Sequence, residues 1–208
     1  MYIPKSFSVT NREHLFEFLE VHDFATLILP QERALPDIAQ LPMLLKRDGA
    51  QAWLWGHLAR ANEIWRGFDG EQTAMFVFQG PHAYVSPRWY GSRMSVPTWN
   101  YAVVEAWGKP VICEAEEDVD FLMRIMVERY ERGVDRWRIS ELPEEVYQRQ
   151  KRSIVVFKLK VEGIQGKFKL SQNRLPVDRE GVIRGLEKRG QAHDNALIRL
   201  MKSFYSEI

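Results

Sequence analysis

Four short segments of this chain together supply rings, amides, hydroxyls and cations: Gly56-His-Leu-Ala-Arg-Ala-Asn62, Phe78-Gln-Gly-Pro-His-Ala-Tyr-Val-Ser-Pro-Arg-Trp-Tyr90, Val96-Pro-Thr-Trp-Asn-Tyr101 and Lys169-Leu-Ser-Gln-Asn-Arg174. Rings give a stacking surface, amides can hydrogen-bond the edge of a heterocycle, and Arg or Lys beside hydroxyls can hold a phosphate. A ligand with a planar heteroaromatic body and an anionic tail needs that combination. The familiar alternatives are missing. There is no Gly-rich phosphate loop, no Gly-x-Ser-x-Gly, no His-Glu-x-x-His and no Cys-x-x-Cys, so nucleotide hydrolysis, serine hydrolysis and zinc chemistry lose their usual support.

Other chemistry-bearing residues carry two readings each. His57 and His82 are either ligand contacts or imidazoles satisfied beside turns, since no partner for either is visible in the sequence. Trp53, Trp55 and Trp107 suit a core or a subunit interface, where large rings bury the most area. Glu114, Glu116, Glu117, Asp118 and Asp120 read as the dipole-favoured start of a helix rather than a metal site. The single cysteine, Cys113, lies in an apolar run, which suits a buried structural thiol and excludes a disulfide framework.

The elements that must position these residues are mostly strands. Thr10 and Glu13 have capping-box spacing ahead of a short amphipathic helix over 11–22. Phe24 to Leu29 is a β-prone run ended by Pro30, and a second extended segment spans about 34–46. Asp48-Gly49 between apolar runs predicts a hairpin into 51–57. Residues 74–78 form another strand, and a longer one runs 101–113, broken near Gly108-Lys-Pro110 by a bulge or bend. Between them, 79–100 reads as a long aromatic loop of the functional or interfacial kind. Val119, Leu122, Met123, Met126, Val127 and Tyr130 define one face of a helix of about four turns. A short helix over 143–150 follows. Ile154 to Val161 reads as the last core strand, and helices over 178–189 and 193–206 flank Gly190. The sequence therefore predicts an α+β, mainly antiparallel β domain over 1–208, with a core to about 175 and a helical C-terminal appendage over 176–208.

Composition is that of a soluble globular protein: 45% of its 208 residues are hydrophobic and 27% charged. No stretch approaches the roughly 20 apolar residues of a membrane span, and the N-terminus lacks a secretory apolar run, so the expected location is cytoplasmic. The net charge of +1 hides an asymmetry: residues 1–150 hold 16 Lys and Arg against 22 Asp and Glu, whereas 151–208 hold 13 against 6. A basic C-terminal segment suits a phosphate, a nucleic acid or an acidic partner surface equally. Helices around Gly190 are compatible with a DNA-binding helix-turn-helix, but Ala196, Leu197, Leu200, Met201 and Phe204 define a packing face rather than a base-reading one.

The four segments, together with Met1-Tyr-Ile-Pro-Lys5, resemble the PaiB family, described as FMN-binding negative transcriptional regulators, at similar spacing along nearly the whole chain. The resemblance implies a split β-barrel related to the pyridoxamine-phosphate oxidase group, a homodimer, and FMN between subunits. It implies that His57, Arg60 and Asn62 face the ribityl phosphate, with Arg60 as its cation. It also implies that Thr98, Trp99 and Asn100 meet the isoalloxazine while Trp89 and Tyr90 border it, and that Lys169, Gln172 and Asn173 close the site. Gln40, Leu41 and Pro42 stand where the family has His-Leu-Pro, and Asn62-Glu63-Ile64-Trp65 where it has Asn-Pro, a polar residue and Trp. An amide at 40 can hydrogen-bond a flavin without carrying charge, and Glu63 would repel a nearby phosphate. Three functions follow as expectations: a flavin-binding regulator, a flavin-dependent oxidoreductase in which the cofactor carries the chemistry, and a DNA-binding module at the C-terminal helices.

Overall fold

Apolar and β-branched residues at period two build ten strands, and apolar residues three and four apart build five α-helices, in the residues described by the computed structural model, 1–32, 34–49, 51–91 and 95–206. In chain order these are β1 (Ser8–Val9), α1 (Arg12–Val21), β2 (Phe24–Leu29), β3 (Asp37–Pro42), β4 (Leu44–Asp48), β5 (Gln51–Ala59), β6 (Ala74–Val85), β7 (Thr98–Gly108), β8 (Pro110–Ile112), α2 (Glu116–Tyr130), α3 (Glu144–Arg152), β9 (Ile154–Lys160), β10 (Gly163–Lys169), α4 (Pro176–Arg189) and α5 (Asp194–Ser206). They form two open sheets, ordered β1-β10-β7-β6-β2-β3 and β4-β5-β9-β8. The β1–β10, β2–β3, β2–β6, β4–β5, β5–β9 and β8–β9 pairs are antiparallel. This is the α+β, mainly β architecture that the sequence predicts.

The chain divides into two compact units. The first comprises residues 1–18, 79–104 and 165–208, and the second comprises 19–78 and 105–164. In the second unit, Leu44, Trp55, Cys113, Leu122, Ile125 and Val156 form a core between the four-stranded sheet and α2, with Trp55 edge-on to Phe121 at 4.9 Å. Cys113 is buried, and desolvation pushes its thiol up to about 12. The break at Gly108-Lys-Pro110 marks where the chain leaves one sheet for the other, and a Cβ at Gly108 would collide with the Lys160 carbonyl, so no larger residue fits the bend. In the first unit, Val182, Leu186, Leu197 and Met201 are fully buried, which accounts for the packing face of the C-terminal helices. Arg189 and Asp194 clasp the two helices across Gly190, with Nε donating to Oδ2 at 2.9 Å.

Several boundaries differ from the sequence expectation. The cap of α1 is Asn11, whose Oδ1 accepts the Glu13 amide at 2.9 Å, in place of Thr10. The extended segment over 34–46 is two strands in different sheets, parted at Met43. The loop over 79–100 is shorter, because β6 continues to Val85 and β7 begins at Thr98. Pro81 is accommodated within β6 because β2 pairs that strand only as far as Phe78, so that neighbour asks no ladder hydrogen bond of it. Finally, β9 is followed by a further strand, β10.

Candidate functional site

In the first unit, the start of β7 and the end of β10 bring Thr98, Asn100 and Lys169 to a cavity of about 90 Å³, which the turn after β10 closes with Ser171, Asn173 and Arg174. Asn100 is 1% exposed, and its Nδ2 donates to Ser171 Oγ at 3.0 Å. Ser171 has φ 65°, the one non-glycine residue in the left-handed region among the described residues. Such a conformation is held only where its surroundings enforce it. Tyr205 of α5 donates to the Leu170 carbonyl, and Gln172 accepts the Leu170 amide at 2.8 Å while donating to the Phe168 carbonyl. Gln172 therefore shapes the turn, with both ends of its amide engaged by backbone.

Charge at this cavity is positive. Lys169 Nζ donates to Thr98 Oγ1 and, at 2.9 Å, to the Trp99 carbonyl. Desolvation first, then the nearby Lys167 and Arg174 charges, hold the Lys169 ammonium below the usual lysine range. Arg174 lies over the buried Tyr90 ring at 4.8 Å, and its guanidinium makes no hydrogen bond among the described residues. Two cations, two hydroxyls and two amides around a space of this size suit one tetrahedral oxyanion. Beside it, Trp99 is 53% exposed, with Tyr84 edge-on at 6.1 Å and His82 at 6.3 Å. Trp89 lies under the Arg189 guanidinium at 5.2 Å.

The remaining predicted residues belong to the second unit. Gln40 hydrogen-bonds Thr26, its cross-strand partner on β2, at 2.9 Å, Leu41 is core, and Pro42 ends β3. His57 stands on β5 opposite Val156, its Nδ1 is buried with no hydrogen-bond partner, and desolvation lowers its pKa. An orphaned ring nitrogen is costly to bury. Arg60 spans the chain instead: Nε donates to the Arg152 carbonyl and a terminal nitrogen to that of Ile154, each at 2.8 Å. Asn62 Oδ1 accepts the Ile64 amide at 3.3 Å and caps the short turn Glu63–Gly67. Glu63 is paired with Arg66 at 2.9 Å, so its charge is partly answered locally. A larger cavity of about 760 Å³, lined by Phe121, Arg124, Trp137 and Tyr147 among others, contains none of the predicted residues.

Arg174 and Ser171 are the site residues that sequence reasoning missed. Arg174 was legible as the cation ending the fourth segment; the backbone conformation of Ser171 was not. The donor set of the first unit, with exposed Trp99 beside it, fits a phosphorylated, ring-bearing group.

Residues 1–163 match the family model described as "Putative FMN-binding domain". The chain is 38% identical over 205 residues, 97% of each chain, to "Protease synthase and sporulation protein PAI 2" of Bacillus subtilis (strain 168). Among solved structures it is similar to the flavocytochrome Anf3 from Azotobacter vinelandii, with a TM-score of 0.61 and 14% identity over 80% of this chain and 72% of that one. It is also similar to the FAD and heme binding protein from Mycobacterium smegmatis, with a TM-score of 0.58 and 16% identity over 78% and 73%. At such identities the structures speak for the fold alone, the split-barrel type, while the relative and the family model establish kinship: the chain belongs to the PaiB family of FMN-binding-domain proteins.

Proposed function

We propose that this protein is a flavin-responsive regulator that works as a homodimer and seats the FMN phosphate in the Lys169–Arg174 cavity of the first unit. The observation that carries the proposal is the convergence of Thr98, Asn100, Lys169, Ser171, Asn173 and Arg174 on one small space. The uncommitted Arg174 guanidinium supports it, because a fork of unused donors is the natural partner of a phosphate. Exposed Trp99 supplies a ring face nearby. FMN when bound would supply the hydride and electron chemistry; the protein's own side chains bind and orient it.

A regulatory role is favoured by the 38% identity to a relative named for protease synthesis and sporulation. Direct sequence-specific DNA reading is not favoured, since Leu197, Ile198 and Met201 of α5 are buried. The test is FMN titration followed by visible absorbance and flavin fluorescence. Lys169→Ala and Arg174→Ala should each weaken FMN about tenfold or more, as expected when a charge-assisted hydrogen bond is lost. Arg60→Ala should lower the melting temperature, because two backbone carbonyls lose their donor, and leave FMN affinity near that of wild type. A wild-type protein that takes up no FMN would refute the proposal. Fast reduction of the loaded protein by NADH or NADPH would move the assignment to the oxidoreductase.

A further inference from the structure

The short turn Pro87–Trp89 and the two residues after it are tied to α4 at three points. The buried Asp178 carboxylate accepts the Gly91 amide at 2.7 Å. Trp89 lies flat against Gly181 and Gly185, where a Cβ would strike the Trp89 carbonyl at the first position and its indole ring at the second. Arg189 lies 5.2 Å from the centroid of that ring and also donates to the Tyr84 carbonyl at 2.9 Å. Arg189 is itself fixed by the buried carboxylate of Asp194, whose Oδ2 also accepts the Gln191 amide at 2.9 Å.

The consequence reaches the cavity through one residue. Tyr90, between Trp89 and Gly91, forms part of the cavity wall and is the ring over which Arg174 sits. Whatever fixes Trp89 and Gly91 therefore fixes Tyr90, and with it the Arg174 guanidinium. Two buried carboxylates and two Cβ-free positions converge on this turn, and the family-model match to residues 1–163 includes none of them.

We propose that the α4–α5 hairpin is a working part of the flavin site, with Asp178 and Arg189 as positioning residues that hold Trp89–Gly91 and thereby aim Arg174 at the phosphate. The inference rests on the assignment of the Lys169–Arg174 cavity to FMN. Full-length wild type, Asp178→Ala, Asp178→Asn and Arg189→Lys are titrated with FMN and melted in parallel. Asp178→Ala should bind FMN about tenfold or more weakly, the loss expected when a charged acceptor is removed. Asp178→Asn keeps an acceptor oxygen and should recover most of that affinity. Arg189→Lys keeps a cation beside Asp194 but gives up the forked pair, the Tyr84 bond and the guanidinium over the ring, and should weaken FMN as well as lower the melting temperature. This last variant decides the matter if Asp178→Ala does not fold. Wild-type affinity in Asp178→Ala or in Arg189→Lys, with at most a lower melting temperature, overturns the positioning role alone. Failure of wild type to bind FMN overturns the site assignment, and this inference with it.

Discussion

Lys169 carries a conflict that its ligand would resolve. Its ammonium is half-withdrawn from water and faces two other cations, so in the free protein it gives up its proton more readily than an ordinary lysine. A phosphate dianion beside it would favour the charged form, so binding should take up a proton. The sign follows: FMN affinity should fall as pH rises toward the usual lysine value of roughly 10.4, and the fall should begin below it. Lys169→Arg, which stays charged, should flatten the profile; an equally steep fall in that variant would rule the lysine out as the cause. At this scale the sequence told part of the story. Residue types in the four segments suggested a planar ligand with an anionic tail, and Lys169 and Asn173 of the fourth line the cavity. The partners of Arg60 could not be read, because Arg152 and Ile154 lie some ninety residues away and a backbone carbonyl has no residue signature.

Among the elements, the α4–α5 hairpin is where electrostatics and packing meet. Its Asp194 carboxylate is 1% exposed, and hydrogen bonding from Arg189, with help from the Gln191 amide, holds its pKa below the ordinary carboxylate range. A depressed folded-state pKa stabilises the fold fully above the unfolded value of about 3.9, and that stability is lost as pH falls through the folded one. Asp194→Asn should therefore cost about 3 kcal/mol at neutral pH, since it strands a largely buried guanidinium. It should also lose less than wild type between about pH 5 and 2. Urea denaturation at the two ends of that range measures both; parallel pH profiles would show that the clasp adds nothing. Element legibility tracked periodicity. α2 stood out through its apolar face, although Ile125, a core residue, was not counted and Tyr130 proved 47% exposed. β10 was missed because Gly163-Ile-Gln-Gly-Lys-Phe-Lys169 has two glycines, little β-branching and weak alternation; pairing with β1 compensates for that poor intrinsic preference.

On the scale of the whole molecule, the two units are assembled from separated stretches, which no local composition shift could have announced. The fold class was nonetheless legible, through Asp-Gly hairpin chemistry, alternating strands and the spacing of the aromatic segments. Aromatic side chains on the outer surface bear on assembly. Trp99 and Tyr84 lie edge to face in solvent beside the cavity, with Val96 71% exposed nearby. Exposed rings of this kind suit an interface centre. If they meet a second copy, the protein should sediment as a dimer and Trp99→Glu should shift it to monomer and reduce FMN uptake. A wild-type monomer that still binds FMN would separate the cofactor site from self-association.

Cys113 adds a constraint on any such assembly. It is the chain's one sulfhydryl, walled in by Trp55, Leu122 and Val156, with an ionisation near 12 that leaves almost no nucleophilic anion at cellular pH. Burial therefore disfavours both cross-bridging between copies and oxidant sensing through this thiol in the folded molecule. A bridged species on a non-reducing gel would be the signature of chains that had opened.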